Sequence, residues 1–180
     1  MGLIADTIET YEELRKHIYT VKIKNGLVFS FRFRPENYHH IAGFQHLVDL
    51  PDIADPPLGH RWFYTQAIRG RLNEEAIGSS RFFSRIQDRL RSLEKISDIL
   101  FQSNKIIVRF DRNKARSDIV ADFFLYKRDG NMLTGPYTIY HLFLGHDAAK
   151  DTYFPATYIV ETTKQYISGQ EMLDCEIIIE

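Results

Sequence analysis

Apolar positions along the first third of the chain change period twice. Ile8, Tyr11, Leu14 and Ile18 recur at helical spacing around Asp6 and Glu9, whose separation reads as a capping box, so a helix ending near His17 or Ile18 is expected. Val21 and Ile23 then alternate with Lys22 and Lys24, and Phe29, Phe31 and Phe33 alternate with Ser30 and Arg32. Between the two runs Asn25-Gly26 offers a pair of positive-φ positions, which predicts a tight β-hairpin. Pro35 stops the strand and opens a helix from about Asn37, with Ile41, Phe44, Leu47 and Val48 as its apolar members.

Residues 49–59, DLPDIADPPLG, read as an irregular connection. A short helix over 62–68 follows, and then a long amphipathic helix capped by Ser79 or Ser80, with Phe82, Phe83, Ile86, Leu90, Leu93, Ile96 and Leu100 as its stripe. After Asn104 the period becomes that of strands, over 105–110, 118–127, 137–144, 153–161 and 173–179, with turn chemistry at 111–117, 128–131 and 145–151. Short connections without crossover helices require mostly antiparallel pairing. The expected fold is α+β, with helices packed on a mainly antiparallel sheet. It comprises a helix and hairpin (1–35), a helical segment (36–104) and a four- or five-strand meander (105–180), in one domain over 1–180.

Composition narrows the function. At 180 residues with 44% hydrophobic and 26% charged positions, the chain is long enough to bury one sizeable core. A single cysteine, Cys175, excludes an internal disulfide and a cysteine-based zinc cluster, and its place in a strand beside Glu176 argues for a small core residue over a catalytic thiol. There is no basic, apolar leader and no transmembrane run, so a soluble cytoplasmic protein without a membrane partner is expected. No Walker loop, G-x-G-x-x-G, G-x-S-x-G or H-E-x-x-H sequence occurs.

The formal net charge of −1 hides a division. Residues 60–116 hold thirteen basic and six acidic side chains, whereas 117–180 hold four and ten. Such an asymmetry suits either an anionic ligand on one face or internal pairing of the two blocks.

Candidate chemistry gathers in three places. His39, His40 and His46 lie on one predicted helix; their spacings of 1, 6 and 7 do not suit a zinc site on that helix alone, so no metal ligands are assigned. Helical periodicity turns His40 towards Gly43, Phe44 and Leu47, as a structural histidine or as a general acid or base. Gly43 is read as a close packing contact. Arg81, Arg85 and Arg89, at i, i+4 and i+8, form a basic stripe that either tracks a phosphate backbone or is a solvated face paired with Asp88 or Glu94. Pro155 within a strand signals an edge or bulge, where Tyr153 and Thr157 offer hydroxyls to a phosphate or simply express β-propensity.

Three stretches together, FRPENYHHIAGFQHLVDLP (33–51), IVADFFLYK (119–127) and YFPATYIVE followed by KQYISGQ (153–170), resemble the fourth of the phage-type Barnase-EndoU-colicin-RelE-like nuclease families, a set of predicted RNase domains. His40, Gly43, Phe44 and Leu47 fall on fixed positions of that family's helical motif, and Pro155, Thr157 and Tyr158 on its P-x-T-aromatic element. Departures are His46, where a basic residue is expected, and the pair Ile41-Ala42 after the histidine.

The resemblance implies RNA as partner and metal-independent cleavage, with no cofactor, by attack of the 2′-hydroxyl. His40 would act as base or acid, Tyr153 and Thr157 would donate to a nonbridging oxygen, and Lys127, Arg81 or Arg85 would supply charge. Arg89 and His46 complete the substrate-binding set. A phage or mobile-element toxin, with a cognate inhibitor protein as a second partner, fits this reading. The alternatives are a catalytically silent RNA- or protein-binding module on the same fold, and an ADP-ribosylating transferase.

Overall fold

The computed structural model describes residues 2–57, 59–102, 105–131 and 135–180. It is α+β, and it divides into two compact units: residues 1–17 with 33–94, and residues 18–32 with 95–180.

The first unit is helical. It contains α1 (Leu3–Arg15), α2 (Tyr38–Ala42), α3 (Pro51–Ala54), α4 (Arg61–Ile68), α5 (Glu74–Gly78) and α6 (Ser84–Arg91). Helix α1 begins earlier than the Asp6/Glu9 pattern implied, because an N-terminal amide without a partner in the helix finds one elsewhere: the Ile4 amide donates to Glu74 of α5 at 3.1 Å. Its buried face carries Ile4, Thr7, Tyr11 and Leu14. Tyr11 packs on Tyr38 at a ring separation of 4.9 Å and donates to the Arg34 carbonyl, and the Thr7 and Tyr38 hydroxyls meet at 2.8 Å. With Phe63 of α4 stacked on Phe44 at 5.4 Å, these rings fix α2 against α1 and α4. Each fully buried aromatic contributes roughly 2–3 kcal/mol.

Two predicted helices are shorter than periodicity suggested. The helix from Asn37 ends at Gly43, which adopts φ +86°, and the segment after it is a separate 3-10 turn over Phe44–His46. The long helix over 80–100 is two helices, α6 and α7 (Lys95–Phe101), with turn residues 92–94 between them. Ser92 accounts for the break: its hydroxyl bonds back to the Asp88 carbonyl at 2.6 Å and its backbone leaves helical geometry at φ −119°. Residues 103–104, at the end of the predicted helical segment, lie outside the described residues.

The second unit holds the sheet: β1 (Tyr19–Ile23), β2 (Val28–Phe31), β3 (Lys105–Arg109), β4 (Phe123–Gly130), β5 (Tyr137–Asp147), β6 (Thr152–Glu161) and β7 (Glu171–Ile179), with α7 and the short α8 (Arg112–Ala115). The order is β2-β1-β7-β3-β4-β5-β6, and every pairing is antiparallel. The expected hairpin forms, but with a different turn. Gly26 alone has positive φ (+98°), and Ile23 closes on both Gly26 and Leu27, so the loop is a turn followed by a glycine bulge. The meander consists of β3 to β6, whereas the last strand leaves it. Instead of lying beside β6, β7 inserts between β1 and β3 and joins the hairpin to the meander.

The bulge at Pro155 also forms. β6 is an edge strand, and its register against β5 shifts between Phe143 and Leu144, which leaves Ala156 as the extra residue. At the other end the sheet curls until β2 meets β6, where Phe29 stacks on Tyr153 at 4.0 Å. One face is covered by residues after β3 and after β6, including Phe110, Ala115 and Tyr166 around Val108, Phe124 and Phe143.

Candidate active site

The helical unit gathers most of the predicted histidines and arginines. Tyr38 is wholly buried and the helix stops at Gly43, so the two imidazoles of α2 exchange the roles expected of them. His39 is buried, with 5% of its surface exposed, and His40 is half-buried. The expected apolar side was drawn through Phe44 and Leu47, which do not continue the α2 helix. His39 lies against Phe63 at 4.3 Å and stacks on His60 at 4.4 Å. His60, just before α4, faces His40 edge-on at 4.8 Å.

Gly43 brings α6 close. A Cβ built there would meet Ile86 at 3.0 Å and Arg89 at 3.1 Å, so the close-packing reading holds and positive φ is a second requirement for glycine. Through this approach Arg85 and Arg89 reach His46 electrostatically. Arg81 and Arg85 lie over the Phe82 ring, at 4.7 and 4.4 Å. Asp49 anchors the start of the segment by accepting from the Ser80 hydroxyl at 2.5 Å and from the Arg81 amide at 3.0 Å. Among the described residues no carboxylate forms an ion pair with Arg81 or Arg85, so the proposed pairing with Asp88 or Glu94 is not what holds them.

Electrostatics within this cluster run one way. Burial, then the neighbouring His40, His60 and His46, push the His39 imidazole down to about 3. Burial followed by His60 and His46 lowers His40, and burial followed by Arg89 and Arg85 lowers His46. Imidazoles held neutral next to guanidinium groups keep a ring nitrogen unprotonated, as a base requires, and the guanidinium groups attract anions. The donor nitrogens of His39, His40 and His60 all lie within 4.8 Å of one another, so among the described residues these three are close enough together to hold a metal.

The sheet unit carries the other predicted residues, and its register separates them. Tyr153 pairs with His146, and Lys127 with Tyr140, which puts Tyr153 and Lys127 on one face but roughly 20 Å apart along β5. Thr157 pairs with Phe143 and falls on the opposite face, because the bulge at Ala156 reverses the alternation between Tyr153 and Thr157. Tyr153 is sandwiched between Phe29 and His146, at 4.0 and 4.6 Å. Lys127 bridges to Asp98 of α7 at 2.7 Å within a network that includes Lys95 and Asp129.

Two groups were not brought out by the sequence, His60 for want of any pattern and His141 because it stands alone near a strand end. His60 follows His40 by twenty residues across a proline-rich segment, and no periodicity links them. In the sheet unit, His141 is fully buried and meets Glu161 at 2.8 Å across β5 and β6, inside a ring of Phe124, Phe143 and Tyr166. Burial lowers the His141 imidazole, opposed by Glu161. Burial alone would raise the Glu161 carboxyl, but hydrogen bonds from His141 and Thr163 outweigh it and hold it below the usual range. Cys175 lies in the interior strand β7, where burial pushes its thiol up to about 11, away from nucleophilic use at neutral pH.

A family model described as phage-Barnase-EndoU-ColicinE5/D-RelE like nuclease4 matches residues 3–177. The chain belongs to that family and carries a nuclease domain of this type. Comparison with curated proteins gives no match, and comparison with solved structures gives none either. Among the described residues no helix is long and apolar enough to cross a membrane.

Proposed function

We propose, from the premise that the chain is a nuclease of this family, that it cleaves RNA without a metal and acts as a toxin or effector of a phage or mobile element. The observation that carries the reading is the cluster of neutral imidazoles on and after α2 beside Arg85 and Arg89 of α6. Neutral His40 takes the proton of the ribose 2′-hydroxyl, and the freed oxygen attacks the adjacent phosphorus. The guanidinium groups of Arg85 and Arg89 offset the charge that builds on the nonbridging oxygens. A bound phosphate also offsets their repulsion of a proton at His46, which then serves as the acid that protonates the leaving 5′-oxygen. Arg81 and the Phe82 ring extend the binding surface for the strand. Tyr153 in its ring stack and Lys127 in its ion pairs have other partners within the sheet unit, and this scheme uses neither them nor Thr157.

Purified protein incubated with total cellular RNA in EDTA is expected to release fragments ending in a 2′,3′-cyclic phosphate. His40→Ala is expected to lower the rate by about 10²- to 10⁴-fold, the usual contribution of a positioned base. Undiminished cleavage by His40→Ala removes the mechanism. Salt-sensitive RNA binding with no product from the wild type replaces the nuclease reading with a silent binding module.

A further inference from the structure

The buried His39 has a feature that proton transfer at His40 does not use. Its Nδ1 is enclosed in protein and has no hydrogen-bond partner, an arrangement that costs stability unless a proton donor or a cation fills it. His39 and His60 line a cavity of about 140 Å³ with Gln45, whose buried Oε1 is also unpartnered. His40 closes the group, and the three donor nitrogens lie within 4.8 Å of one another.

We propose that His39, His40 and His60 form a binding site for a borderline divalent transition-metal ion such as Zn²⁺ or Co²⁺, with the fourth position open to water. Three imidazoles and no carboxylate select this class over Mg²⁺ or Ca²⁺, which take oxygen ligands. Tetrahedral zinc holds its nitrogens about 3.4 Å apart, so the rings must draw together by up to roughly 1.5 Å. The exposed His60 and the half-buried His40 have the freedom to do so around the fixed His39. Burial keeps His39 in the neutral form that a metal requires.

A bound ion occupies the lone pair that His40 needs as a base. On the nuclease reading, and only on it, zinc therefore inhibits cleavage and EDTA restores it. Binding itself does not depend on that reading, so it is measured without RNA.

The full chain, stripped with chelator, is titrated with CoCl₂ and followed by visible ligand-field absorption, and with ZnCl₂ followed by calorimetry. One equivalent is expected, with tetrahedral cobalt bands, while MgCl₂ gives no heat. His60→Ala, at an exposed position that preserves the fold by circular dichroism, is expected to weaken binding by at least about tenfold and abolish the bands. His146→Ala, altering a histidine of the sheet unit, leaves both unchanged. No saturable binding by the wild type, or equal binding by His60→Ala, overturns the proposal. Metal binding without any RNA cleavage sustains the site and rejects the nuclease reading, and zinc-resistant cleavage by zinc-loaded protein removes the inhibitory consequence.

Discussion

At the scale of single residues, Gly43 does two things that a larger side chain cannot do together. It ends α2 in the left-handed region and admits α6 to within contact of the histidine segment. Gly26 shares the positive φ but has nothing within 4 Å of its would-be Cβ. Gly26→Ala should therefore cost about 1 kcal/mol, the conformational term alone, and Gly43→Ala more, about 2–3 kcal/mol. Paired denaturant titrations would check the difference; equal costs would show that α6 does not press on Gly43.

The His141–Glu161 pair gives a second residue-scale expectation, this one in pH. The folded-state value of His141 lies below its ordinary 6.5, so its contribution to stability is complete above pH 6.5 and is lost as pH falls towards the folded value. Glu161 acts in the same direction below its ordinary 4.5. His141→Gln keeps an amide donor for Glu161 but cannot titrate. Unfolding free energies measured from pH 8 downwards should show a shallower slope below 6.5 than wild type, the difference being at most about 1.4 kcal/mol per pH unit, one proton's worth.

At the scale of elements, one extra residue decides which groups of β6 share a face. Deleting Ala156 would restore strict alternation and turn Tyr153 away from Phe29, with an expected loss of at least about 2 kcal/mol and of aromatic signal in the near-ultraviolet. An unchanged near-ultraviolet spectrum in the deletion variant would show that the stack tolerates the shift.

The bulge itself was legible in the sequence, because a proline inside a strand pattern cannot donate to the ladder. Its effect on Tyr153 and Thr157 was not, since alternation counts residues and cannot say which one is skipped. The same limit explains the rest. Period 2 identified the hairpin and the strands of the meander, but periodicity carries no partner, so the placement of β7 between β1 and β3 was hidden. Helical period ran through Gly43 and Ser92 because apolar residues resume beyond both. What ends those helices is a backbone angle in one case and a side-chain bond to the preceding turn in the other. Within the site, His40, His46 and the arginines were visible as chemistry on helices. His60 joins them through α4 packing that no local pattern encodes.

At the scale of the whole molecule, the charge division seen along the chain disappears when the side chains are counted by unit. The helical unit holds ten basic and twelve acidic groups, and the sheet unit thirteen and twelve. The basic block of 60–116 is cut at Glu94, so Arg85 and Arg89 act locally, at α6, within a unit that carries no net positive charge. Each unit is also assembled from two separate stretches of chain. In the sheet unit this depends on β7, which pairs with β1 and is flanked by the contact of Lys24 with Asp174, 150 residues apart. A chain shortened to end at Gln170 would lose the strand that joins β1-β2 to β3–β6. Circular dichroism should then show reduced strand signal and a broad melt, since an isolated two-stranded hairpin is marginal in water. A sharp transition in the shortened chain would show that the two parts of the sheet are independent.

That topology bears on the order of events at the ribosome. The hairpin of residues 19–31 is made well before its partner strand, and its inner edge has no partner until residues 171–179 have followed. The sheet of a nascent chain therefore stays open from the synthesis of β1 to that of β7, with the edge of β1 free to pair with any other extended segment it meets.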